Sequence, residues 1–240
     1  MSELNGQTAI VTGGGTGIGQ GVALSLAREG VNVVVSGRRL EPLQYTVEQI
    51  QTTGGQALAV QADVSVVEDV QKVVDAALET FGGVDILINN AGIGGGGFIH
   101  RHDVEAWDRT MAINLRGPFL FARTVLPMMR KQRNGHIINI SSESGIEYYQ
   151  GNGAYGVAKH ALNALSEFIQ RENQGHGIRV NTICPGMVIT EMTENAKGLN
   201  HAKSMQPEDI ADLVMWLLTR RANIKIGLPI LIQTMENPWT

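Results

Sequence analysis

Cysteine is almost missing from this chain of 240 residues. Cys184 stands alone, which excludes an internal disulfide and leaves a thiolate metal centre without a second ligand. Beside Pro185 it reads as a small core side chain rather than a nucleophile. Basic runs are missing too: 19 Lys and Arg against 23 Asp and Glu give a formal net charge of −4, which argues against nucleic acid as a partner. No apolar stretch reaches membrane-spanning length, and the first residues hold no apolar signal core, so no membrane contact and a cytoplasmic location are expected. The run His100-Arg101-His102 has no second cluster at metal-ligand spacing; it reads as surface histidines, and no metal is expected.

What the chain does have is regular alternation. Apolar, β-branched runs near 7–12, 31–36, 56–61, 84–88, 135–140, 178–183 and 228–232 alternate with helical patterns. That order implies one α/β domain over 1–240, a parallel sheet of about seven strands with right-handed crossovers and helices on both faces. Runs such as Ile86-Leu87-Ile88 suit strands covered on both sides. Pro207-Glu208-Asp209 opens a late helix, with proline in the first turn and carboxylates favoured by the helix dipole.

The first strand runs directly into Gly13-Gly14-Gly15-Thr16-Gly17-Ile18-Gly19 and then a helical pattern. A glycine turn at that junction lets a pyrophosphate approach the backbone, where helix N–H groups and the dipole stabilise its charge. A G-x-x-x-G-x-G spacing fits from Gly13 or from Gly15; the strand end at Val11 and Thr12 favours Gly13, Gly17 and Gly19. The second strand ends in Gly37-Arg38-Arg39, where a dinucleotide fold presents its ribose-reading residue. A site selecting NAD would place a carboxylate there. Arg38 instead brings a guanidinium suited to a 2′-phosphate, so NADP(H) is expected ahead of NAD(H), with Arg39 as the fallback partner.

Tyr155 precedes Lys159 by four residues, which puts a phenol and an ammonium on one helix face. A free phenol titrates near ~10 and is a poor acid-base group at neutral pH; a neighbouring positive charge favours its phenolate. Tyr45, Tyr148 and Tyr149 have no lysine at that distance.

Taken together, Thr12 to Gly19, Asp63-Val64, Asn89-Asn90-Ala91-Gly92, Asn114, Ser142, Tyr155 with Lys159, and Pro185-Gly186 followed by Thr190 resemble the short-chain dehydrogenases/reductases, in their short single-domain branch. The resemblance implies a Rossmann-type doubly wound sheet and a catalytic tetrad of Asn114, Ser142, Tyr155 and Lys159. Ser141 is an adjacent competitor, but the family's serine lies thirteen residues before the tyrosine, as Ser142 does. By the same resemblance Gly13, Gly15, Thr16, Gly17, Ile18 and Gly19 hold the cofactor phosphates. Arg38 and Arg39 read the ribose, and Asp63 and Val64 sit beside the adenine. Asn90, Ala91 and Gly92 belong to the cofactor site, with Asn90 holding the central strand. Pro185, Gly186, Val188 and Thr190 face the nicotinamide carboxamide. Tyr155 donates a proton, Ser142 bonds the same oxygen, Lys159 binds the ribose and favours the phenolate, and Asn114 positions a water.

The activity so implied is hydride transfer between a nicotinamide cofactor and a small alcohol or hydroxy acid or its aldehyde or ketone. A 3-oxoacyl reductase-like enzyme and an idle dinucleotide-binding regulator are the alternatives. Pocket segments by family position are 94–98, 143–150 and 187–200, with a short lid over about 187–205. Family members commonly pair helices near 103–130 and 153–171, so a homodimer or homotetramer is expected; Trp107, Met111, Leu162, Leu165 and Phe168 lie there.

Overall fold

The computed structural model of the chain describes residues 3–194, 196–221, 223–227 and 229–240. Strand β1 (Thr8–Thr12) leads into α1 (Gly17–Arg28), β2 (Asn32–Gly37) into α2 (Leu40–Thr52), and β3 (Ala57–Gln61) into α3 (Val67–Phe81). After β4 (Ile86–Asn89) come α4 (Val104–Met111), α5 (Gly117–Gln132), β5 (Gly135–Ile140) and α6 (Gly153–Asn173). Then β6 (Ile178–Pro185), α7 (Pro207–Leu218) and β7 (Ile230–Ile232) complete the order. The strands form one parallel sheet, β3-β2-β1-β4-β5-β6-β7. Leu228, where the sequence pattern begins the last strand, lies outside the described residues.

Side-chain alternation divides the core between the two faces of the sheet. Ala9, Val11, Val35, Ile88 and Ile138 pack on one side with Val22 and Leu26 of α1 and Ile210 and Val214 of α7. Ile10, Val34, Leu87 and Ile137 pack on the other with Val70 and Val74 of α3 and Phe121 and Val125 of α5. Val11 pairs with Val35 on one flank and with Ile88 on the other, so β1 is where sheet growth reverses direction. A crevice at the carboxyl ends of β1 and β4 follows from that reversal.

The helix expected over 103–130 is interrupted. Between α4 and α5 the backbone makes a π-helical turn, Ala112–Arg116. Two features of the sequence account for it. Pro118 has no N–H to give the Asn114 carbonyl four residues back, and the Asn114 amide itself donates to the Thr110 carbonyl at 3.0 Å. The late helix begins as expected at Pro207, and Asp209 accepts a hydrogen bond from the Gln206 N–H at 2.7 Å.

Candidate active site

The crevice is a cleft of about 640 Å³ whose wall contains most of the residues singled out in the sequence. Its floor is the glycine turn. Gly13 and Gly17 have φ of 66° and 54°, a region that favours glycine. A Cβ on Gly13 would stand 2.8 Å from the Asn90 amide nitrogen, and one on Gly19 only 2.3 Å from the Gly13 carbonyl oxygen. These constraints favour the register Gly13, Gly17, Gly19. Gly19 stands behind the cleft wall, where its lack of a side chain lets α1 press against the turn; Gly15, Thr16, Gly17 and Ile18 line the cleft. Thr16 precedes α1 without a side-chain cap, so first-turn N–H groups remain for an anionic ligand.

Asn90 ties the turn to β4. Its amide donates to the carbonyls of Thr12 (2.9 Å) and Gly13 (3.2 Å), while the Thr12 hydroxyl accepts from the N–H groups of Asn90 and Ala91, both at 3.0 Å. Asn89 points into the sheet instead: it donates to Asn139 (2.8 Å), which donates to Ser166 (2.7 Å). This buried chain from β4 through β5 to α6 was not legible in the sequence, because it joins residues far apart in the chain.

Arg38 and Arg39 lie at the cleft edge with Asp63 and Val64. Burial alone would raise the Asp63 carboxyl, but bonds from the Ser65 hydroxyl (2.6 Å) and N–H (2.9 Å) and the Arg38 charge hold it below its ordinary value. Arg39 is engaged elsewhere, in an exposed ion pair with Glu191 at 2.5 Å that spans the cleft mouth. That leaves Arg38, whose charge acts on Asp63, as the other guanidinium of the cleft wall after β2.

The expected tetrad sits across from the glycine turn, where β5 ends against the first turns of α6. Ser142, Tyr155 and Lys159 all line the cleft. The two serines face different ways: the Ser141 hydroxyl donates to the Lys159 carbonyl at 3.3 Å, while Ser142 is hydrogen-bonded to the Tyr155 hydroxyl and accepts from the Ser144 N–H at 3.1 Å. A Cβ on Gly145 would meet Ser141, Asn163 and the Lys159 backbone within 3.0 Å, so the tight approach of this turn to α6 requires glycine. Asn114 lies behind the cleft, donating to Ile93 and Thr110 carbonyls, each at 3.0 Å, and accepting from the Ile93 N–H at 3.3 Å. A Cβ on Gly92 would stand 2.8 Å from Asn114 Oδ1 and 3.7 Å from Lys159 Nζ.

The electrostatics differ from the simple expectation that Lys159 lowers the phenol. Lys159 Nζ is 5.5 Å from the Tyr155 ring centroid and donates to the Ile140 carbonyl at 2.9 Å. Burial pulls its pKa down to about 8, against a smaller upward pull from Cys184. Tyr155 is pushed up, first by burial and then by the Cys184 and Glu143 charges, with the Ser142 hydrogen bond opposing. Burial therefore sets the direction at Tyr155. Cys184 is fully buried and its thiol is raised by burial, as suits a core residue rather than a nucleophile.

Pro185, Gly186, Val188 and Thr190 close the far wall. The segment following β6 is pinned at its base, where the Ile189 N–H donates to Met205 (2.9 Å) and the Met205 N–H to Met187 (3.0 Å). Thr190 comes within 3.0 Å of where a Gly17 Cβ would stand, so this segment seats on the glycine turn. Further along, the Asn200 N–H donates to the Pro238 carbonyl at 2.7 Å, and Lys203 pairs with Glu236 at 3.3 Å. Asn195, within the segments singled out for lid and pocket, lies outside the described residues. Of the histidine run, Arg101 donates to His100 at 2.9 Å and His102 packs edge-on to Trp107.

A family model described as short chain dehydrogenase matches residues 7–199. An uncharacterized oxidoreductase of Staphylococcus epidermidis is 34% identical over 227 residues, 95% of this chain and 97% of that protein. One from Staphylococcus aureus is 35% identical over the same shares. Among solved structures, levodione reductase superposes with a TM-score of 0.89 at 29% identity, over 95% of this chain and 96% of the other. A metagenomic short-chain oxidoreductase in complex with NADP gives 0.84 at 32% identity, over 98% and 100%.

Proposed function

The chain belongs to the short-chain dehydrogenase family, and we propose that within it this protein is an NADP(H)-dependent oxidoreductase interconverting a small alcohol or hydroxy acid with its aldehyde or ketone. One observation carries the reading: Ser142, Tyr155 and Lys159 share a single cleft with the glycine turn and Arg38.

The residues fit a dinucleotide. The side-chain-free surface at Gly13, Gly15 and Gly17 with the uncapped start of α1 suits a pyrophosphate. Arg38, with no carboxylate at the end of β2, suits a 2′-phosphate. The NADP complex of the metagenomic relative supports the same choice. When bound, the nicotinamide supplies the hydride. The protein orients the carbonyl and handles the proton. Tyr155, raised by burial, keeps its proton at neutral pH, which suits a general acid in the reducing direction. Ser142, already bonded to that phenol, shares the carbonyl oxygen and steadies its developing charge. Lys159 would hold the cofactor ribose, and Asn114, in the π turn beside Gly92, would hold a water that links Lys159 to solvent.

A panel of small aldehydes and ketones with NADPH, followed by nicotinamide absorbance, tests the reading; a protein that binds NADPH and reduces none of them refutes it. The reading includes a cytoplasmic homodimer or homotetramer joined through α5 and α6. Phe168, Val157 and Phe119 are exposed there, whereas Leu162 is buried and Leu165 packs against the core. A monomer mass by light scattering at micromolar protein would refute the assembly. Among the described residues no helix is long and apolar enough to cross a membrane.

A further inference from the structure

Glu143 follows Ser142 directly and opens the short turn Glu143–Gly145. Its side chain is half-buried, and Oε2 lies 3.0 Å from the point where a Cβ on Gly186 would stand. Gly186 lines the cleft together with Ser142 and Tyr155; Glu143 stands at the rim of that wall, its carboxylate beside Gly186 and its charge felt at Tyr155. Among the described residues no lysine or arginine forms an ion pair with it. The Tyr149 hydroxyl bonds to it, and Tyr149 is itself about half exposed. A carboxylate offers about four acceptor positions, so one bond from Tyr149 leaves capacity for a ligand. Burial raises the Glu143 carboxyl, opposed by Tyr149 and reinforced by Glu147, and its charge in turn helps raise Tyr155.

We propose that Glu143 determines specificity by accepting a hydrogen bond from a hydroxyl on the carbon next to the reacting one, selecting α-hydroxyketones and vicinal diols and rejecting keto acids and hydroxy acids. This rests on the function proposed above and narrows it. A substrate carboxylate would bring a second negative charge beside Glu143, which has no ion-pair partner among the described residues. A neutral hydroxyl meets the unused acceptor positions instead. In the reducing direction the hydroxyketone carbonyl carbon takes hydride from NADPH and its oxygen takes a proton from Tyr155, giving the diol and NADP⁺.

The test measures kcat/KM with NADPH for hydroxyacetone, butanone and pyruvate in the wild type, Glu143→Gln and Glu143→Asp. A hydrogen bond to a charged acceptor is worth roughly ten- to a hundred-fold in kcat/KM, so the wild type prefers hydroxyacetone to butanone by about that factor. Pyruvate is reduced at least ~10-fold less well than butanone. Glu143→Gln raises the pyruvate-to-hydroxyacetone ratio about tenfold or more by removing the charge. Glu143→Asp keeps the charge but withdraws it by one methylene; it loses the hydroxyacetone preference while still rejecting pyruvate. NADPH affinity, read by fluorescence titration, stays within about twofold in both variants, since the effect lies on the substrate. A wild type that reduces pyruvate or butanone as well as hydroxyacetone, or ratios unchanged in Glu143→Gln, overturns the proposal alone. A protein that binds NADPH and reduces none of the three overturns the proposed function with it.

Discussion

Replacing Lys159 by methionine should stabilise the protein while destroying its activity. The lysine is 3% exposed, and burial lowers its pKa from 10.5 to about 8. One pKa unit corresponds to about 1.4 kcal/mol, so keeping the ammonium charged at neutral pH costs the fold about 3 kcal/mol. The sign follows from proton counts. Between about pH 8 and 10.5 the unfolded chain holds a proton on Lys159 that the folded chain has released, so stability rises with pH across that window. The gain is complete above the unfolded value and is lost as pH falls through the folded one. Methionine is an unbranched side chain of similar length with no charge to desolvate. It forfeits the bond to the Ile140 carbonyl, a loss of about 1 kcal/mol. The net is a gain of roughly 2 kcal/mol at neutral pH, or about 4–8 °C in melting temperature for a domain of this size. Thermal melts without added nucleotide at pH 6.5, 7.5, 8.5 and 9.5 measure it. Lys159→Met should melt higher than the wild type at the two lower values, with the gap closing as pH rises. A variant that melts lower than the wild type at pH 7.5, or a gap that is flat with pH, would refute the reasoning.

Three further outcomes are expected. Tyr155→Phe keeps the ring and removes the proton donor, so kcat should fall by about a hundred- to ten-thousand-fold while NADPH affinity, measured by fluorescence, changes little; near-normal turnover would falsify the assigned role. Arg38→Ala should weaken NADP binding roughly ten- to a hundred-fold and leave NAD nearly unchanged, from loss of charge-assisted bonds worth about 1.5–3 kcal/mol; calorimetric titration of both nucleotides checks the ratio. Ser142→Ala should lower kcat by about a hundred- to a thousand-fold. Ser141→Ala, whose hydroxyl serves the Lys159 carbonyl, should chiefly cost about 1 kcal/mol of stability, and the reverse pattern in steady-state kinetics and melts would reassign the serine.

The fold was legible because its signals are local. Seven apolar runs separated by helical patterns allow few topologies once crossovers are right-handed, and the strands of the structure start and end within about two residues of those runs. The glycine register was legible from the strand end at Val11 and Thr12, and the atoms that a Cβ on Gly13 or Gly19 would strike, Asn90 Nδ2 and the Gly13 carbonyl, agree with it. The break at Ala112–Arg116 was missed although both of its causes are written in the sequence. Periodicity over 103–130 averages across a π turn, whereas the missing donor at Pro118 acts at one carbonyl only. Glu143 falls in the pocket segment 143–150 read from the sequence, but no role could be read for it, since its neighbour Gly186 is forty-three positions away by number and adjacent only after β5 and β6 pair.

The same contrast separates the charges that can be read from sequence from those that cannot. The spacing of Tyr155 and Lys159 places them on one helix face, and a Coulomb argument alone then lowers the phenol. Burial reverses that result: it raises Tyr155 and lowers Lys159, moving each toward its neutral form. Neutral phenol is the form that gives a proton to a carbonyl oxygen, and an ammonium lowered to about 8 releases a proton more readily than an ordinary lysine. In the proposed mechanism, desolvation at the end of β5 thus acts against stability and in favour of proton transfer at the same two side chains. A substitution that relieves the first effect must forfeit the second, which is why the stabilising methionine at position 159 is expected to be inactive.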